Sequence, residues 1–229
     1  MLKLNEKVIF RRLPEETRHH LIILVDRDEK VNMCILNLIM LDALLLFLLL
    51  ANGIKLFTMV ALPPLILVNL WMFILFFKDM DLHRNNLEFV LYKGFSFSTM
   101  SYCWFILSQK MYYSILGLNW LFIIFSVLIL VIVALGSFRY YLKKFSIHKP
   151  KKRAVPTWAV YLLTTGPAAG YMISQITLHF SESVMNIFMS IVSLFAACLF
   201  SFIGAKFIHQ FLFVKTNQTI IKNIGKGRK

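Results

Sequence analysis

Of the chain's 229 residues, 59% are apolar, 22 are Phe and 11 are Met, and the mean hydropathy is +0.70. That composition leaves too little polar surface to coat a water-soluble particle, which excludes an ordinary globular domain. The formal net charge is +14, but the cations sit between apolar runs and at both ends, which suits anionic lipid headgroups and argues against nucleic acid.

Residues 1–30 are highly charged and show no short apolar core followed by a small-residue cleavage site, so no signal peptide is expected. Pro14 followed by Glu15 and Glu16 is a helix start. It predicts a short helix lying along the membrane interface. A hairpin pairing Lys7–Arg12 with Leu21–Val25 is the competing reading. The first apolar run, residues 31–50, is close to the roughly 20 residues that a bilayer requires. Asn52–Gly53 then makes a tight turn into a second span over 56–77. Pro63–Pro64 inside that span predicts a kink, because proline removes a backbone donor.

Residues 78–93 are polar enough to leave the membrane, and their spacing predicts a separate amphipathic helix. A third span over 95–116 is rich in hydroxyls and ends in Gln109, Lys110, Tyr112 and Tyr113. Gly117–Asn119 turns the chain into a fourth span over 120–137, the strongest apolar signal in the sequence. The basic stretch from Phe138 to Arg153 carries seven cations and no acid. Spans over 155–177 and 184–207 and a basic tail over 208–229 complete the chain.

Counted against these loops, 23 of the 25 Lys and Arg fall on one side and only Lys55 and Lys110 on the other. Cytoplasmic loops hold the excess of Lys and Arg. The expected fold is therefore all-α: a polytopic helix bundle of about six transmembrane helices, multi-pass in the cell membrane, with both termini cytoplasmic. Residues 1–30 form an interfacial segment, 31–207 the membrane domain and 208–229 a cytoplasmic tail.

Asp42 is the only acid within any span, and a charge there costs about 2.5–3.5 kcal/mol on insertion scales. It is either a substrate or proton site or a hydrogen-bonding anchor to hydroxyls such as Ser101, Thr164 or Thr165. Ser193, Ala197, Ser201 and Ala205 recur every four residues, a small-residue face that lets two helices approach closely, within the chain or between two copies. Cys34, Cys103 and Cys198 lie in three different apolar runs and imply no disulfide framework. The six His show no metal-ligand spacing, and no nucleophile elbow or phosphate loop occurs. No enzyme activity and no metal or cofactor bound by this chain are expected.

The stretch Leu87-Glu88-Phe89-Val90-Leu91-Tyr92-Lys93-Gly94-Phe95-Ser96 resembles the coupling segment of ABC-2-type exporter permeases, in which a Leu-Glu start precedes a Pro-x-Ser turn. Gly94 stands where that family favours Pro. The resemblance implies a membrane-spanning permease subunit that binds no nucleotide and docks on a separate ATP-hydrolysing chain through Glu88 and Arg84. Its cargo would be a hydrophobic or amphipathic peptide or lipid, and a homodimer or a related permease subunit would complete the path. The alternative is a non-catalytic accessory or immunity-type protein that binds another membrane protein helix to helix.

Overall fold

The computed structural model describes residue 13 and residues 15–21, 25–51, 54–78, 83–145 and 181–218. All regular structure among them is helical. Helix α1 is Glu15–Leu21, α2 is Arg27–Leu50, α3 is Lys55–Phe76, α4 is His83–Leu116, α5 is Trp120–Lys144 and α6 is Glu182–Thr216. Four of these, α2, α3, α5 and α6, are long and apolar enough to cross a membrane. The expected hairpin strand over 7–12 and the expected span over 155–177 lie outside the described residues.

Three helix ends have a clear local cause. Asp26 caps α2 by accepting from the Glu29 amide at 2.8 Å. Gly117, at φ 65°, ends α4 in the left-handed region, where only glycine pays no Cβ penalty. Two residues later Asn119 caps α5, its Oδ1 accepting from the Leu121 and Phe122 amides at 3.0 and 3.3 Å. Helix α3 continues through Pro63 and Pro64. Pro64 leaves the Val60 carbonyl without its usual donor, and Tyr102 Oη donates to that oxygen at 3.4 Å.

The separate amphipathic helix expected over 78–93 is instead the first part of α4, which runs unbroken for 34 residues from His83 to Leu116. Gly94 does not break it. A Cβ at Gly94 would lie 2.8 Å from Ile208 Cγ1 and 3.1 Å from the Ile208 amide, so the missing side chain is where α6 crosses. Gly204 of α6 faces Ser98 in the same way, since a Cβ there would lie 3.0 Å from Ser98 Oγ. At about 1.5 Å per residue, α4 and α6 are each about 50 Å long, well beyond a hydrocarbon core of about 30 Å.

These two helices make the most extensive packing in the bundle, with α3 and α2 against α4 and α5 against α6. Between residues 91 and 112 of α4 only Phe95 is exposed. By contrast α5 buries only Ser126, Ser137 and Tyr141. The helix too polar to meet the apolar criterion is thus the one its neighbours enclose, and the most apolar helix is the most peripheral.

Polar contacts fasten the two ends of the bundle. At the end rich in cations, Lys78 pairs with Glu88 at 2.7 Å, Lys93 pairs with Glu29, and Lys30 Nζ donates to the Lys78 carbonyl. These contacts tie α2, α3 and α4 together. At the far end Lys110, buried, donates to the carbonyls of Leu48, Leu49 and Ala51, filling the acceptors that the C-terminus of α2 leaves open.

Candidate functional site

The far end holds a cavity of about 380 Å³ between the start of α3, the end of α4 and the start of α5. The Gly117–Asn119 turn fixes one rim. Asn119 reaches back to Tyr112 Oη at 3.4 Å, and the Tyr112 ring lies flat on Phe122, with centroids 3.8 Å apart and planes 3° from parallel. Phe57 and Tyr113 face one another across centroids 5.6 Å apart. Ile54, Leu56, Leu118 and Ile123 complete an apolar wall. Gln109 enters from α4 and donates to Ser126 Oγ at 2.9 Å, which holds its side-chain amide against α5. Among the described residues, no Lys, Arg, Asp or Glu lines the cavity. Such a site suits an uncharged apolar group with one hydrogen-bonding function. Gln109, Tyr112 and Tyr113 are legible in the sequence as the end of the expected third span. The cavity was not, because it depends on how three helix ends converge.

Asp42 lies half-buried within Leu38–Leu46, where α2 takes π geometry for nine residues. Asn69 of α3 donates to its carboxylate at 2.7 Å. Its partner is thus an amide on the second span. Ser101, one of the hydroxyls considered for that role, donates to the Ala197 carbonyl of α6 at 2.7 Å, while Thr164 and Thr165 lie outside the described residues. Just over one turn before Asp42, buried Asn37 donates to Tyr92 Oη and accepts from Ser96 Oγ at 2.6 Å, joining α2 to α4. The sequence alone does not single out Asn37, whose only signal is an amide in an apolar run.

The small-residue face of α6 is occupied within the chain. Ser193 and Ala197 are fully buried, Ala205 nearly so and Ser201 half-buried, and Ser190 and Ser108 exchange contacts with the facing helix through Oγ atoms 3.2 Å apart. Ser193 Oγ has no hydrogen-bond partner among the described residues. Of the two residues assigned to coupling, Glu88 is half-buried and ion-paired to Lys78. The Arg84 side chain lies outside the described residues. Around Glu88, the residues Leu87, Phe89, Val90, Tyr92, Lys93 and Ser96 are all buried.

Comparison with protein-family models, with curated proteins and with solved structures finds no match.

Proposed function

We propose that the chain is the membrane-spanning subunit of an exporter for a hydrophobic or amphipathic molecule, multi-pass in the cell membrane and driven by ATP hydrolysis on a separate chain. The observation that carries the reading is the far-end cavity, whose walls are aromatic and aliphatic and whose lining holds no ionic group among the described residues. The positive-inside rule assigns the cation-rich end to the cytoplasm and the cavity to the outer face, where a cargo would leave. The half-exposed Lys78–Glu88 pair at the cytoplasmic end is the surface offered to the ATPase. Asp42, with Asn69, is a polar station between the two ends.

A second reading is favoured by the enclosure of residues 87–96 in an unbroken helix, with no turn of the kind the resemblance implies. On that reading the chain is an accessory membrane protein that binds a partner through its lipid-facing helices, of which α5 is the most exposed. Photolabelling with a diazirine-bearing palmitate, followed by peptide mapping, tests the cavity. Labels concentrated at Phe57 and Tyr113, lost on Gln109→Leu with Phe57→Ala, support cargo binding. Recovery in mild detergent of an ATPase whose yield falls on Glu88→Lys supports the exporter. Uniform labelling with no ATPase recovered would leave the accessory reading.

A further inference from the structure

We propose that His20 and His209 form a proton-sensitive latch, which holds α1 on the basic ends of α5 and α6 while both imidazoles are neutral and releases it when they are protonated. The two residues are 189 positions apart in sequence, yet His20 Nε2 lies 3.3 Å from His209 Nδ1. His209 is fully buried and His20 is 6% exposed. Both sit in an aromatic cage. His20 stacks on Phe145 with centroids 4.0 Å apart, and His209 stacks between Phe145 and Phe213 at 5.5 and 5.7 Å.

Thr17, His20 and Leu21 form the buried face of α1, with Leu13 buried just before it, and Gln210 donates to the His20 carbonyl at 3.2 Å. The groups packed around the pair are Tyr141 and Lys144 from α5 and Lys206 and Gln210 from α6. Glu15, the acid of α1 with a described side chain, is exposed. Among the described residues, the charges besides His209 that act on His20 are the cations Lys206 and Lys144. A first proton therefore places a charge in an apolar cage beside two lysines. A second sets two N–H donors against each other, and the hydrogen bond is lost.

Burial, then His209 and the two lysines, hold the His20 imidazole down to about 3, against an ordinary 6.5. Docked α1 thus binds fewer protons than released α1, so docking is fully present above pH 6.5 and weakens below it. Through His20 the docking equilibrium falls about thirtyfold between pH 7.5 and 5.0, approaching about tenfold per pH unit well below pH 6.5.

Hydrogen exchange on the full chain in lipid nanodiscs, corrected for intrinsic rates, tests the latch at pH 7.5 and 5.0. The expected result is a rise of at least about thirtyfold in the opening of residues 15–21 at pH 5.0, with the central amides of α4 unchanged. In the double variant His20→Phe with His209→Phe, which keeps the ring stacking, opening should not depend on pH. Equal protection of 15–21 at both pH values in the wild type overturns the proposal, whether or not the variant folds. So does loosening of the double variant by acid to the same extent.

Discussion

Asn69 Nδ2 donates to Asp42 Oδ1 at 2.7 Å, joining α2 and α3 where α2 departs from α-helical geometry. A π stretch adds a residue to the turn, is rare, and recurs at functional sites. Here it surrounds the one acid in the apolar part of α2. Asn69→Leu should cost about 1–3 kcal/mol, because the carboxylate loses its donor. Combining it with Asp42→Leu should restore most of that loss. Thermal unfolding in detergent of the two single variants and the double variant reads the coupling. If Asp42 is also a station for cargo, the double variant will be stable yet inactive in efflux.

Lys110 closes the far end by serving three carbonyls at once. Lys110→Met removes the shared donor, leaving Leu49 O only Thr58 Oγ1 at 2.6 Å, and should lower stability by about 1–3 kcal/mol. Lys55→Met, exposed at the same end, should stay within about 0.5 kcal/mol of the parent. Equal Tm values for the two variants would refute the capping role.

The crossing of α4 and α6 depends on two glycines. Gly94→Leu places its side chain against the Ile208 backbone and should cost about 1–3 kcal/mol or more. Gly136→Leu, with open space around it, should leave the Tm near that of the parent. The comparison separates close packing from a general glycine effect.

Stability should also follow pH in a defined direction. His20 is held well below its ordinary value in the folded chain, so its contribution is present above pH 6.5 and declines as pH falls. Between pH 6.5 and 5.5 the expected loss is about 1 kcal/mol. The slope should be absent in His20→Phe, as read by thermal unfolding across that range.

Much of this architecture was legible in the sequence because lipid-facing helices must be apolar. The apolar runs of α2 and α3 therefore announce them within a few residues of their ends, while α5 runs on from the expected end at 137 to Lys144, into the basic stretch. The same logic misleads for α4. Ser96, Ser101, Ser108, Gln109 and Lys110 bond to neighbouring helices, and the polar residues before Gly94 read as a separate surface helix. Gly94 reads as an interruption because a missing Cβ has the same sequence signature at a turn and at a helix crossing. Asp42 stands out as a lone acid, but its partner does not, since nothing in the spacing brings position 69 beside position 42. His20 and His209 look like scattered histidines, because their meeting depends on where α1 docks.

In the proposed orientation the bundle that encloses α4 turns its cation-rich end to the cytoplasm and its cavity outward. Single cysteines at Leu118 and Lys215, in a chain with Cys34, Cys103 and Cys198 replaced by Ala, test it with a membrane-impermeant maleimide on intact cells. The prediction is labelling of Leu118→Cys without permeabilisation and of Lys215→Cys only after it. Labelling of Lys215→Cys from outside intact cells would contradict the orientation, and the outward-facing cavity with it.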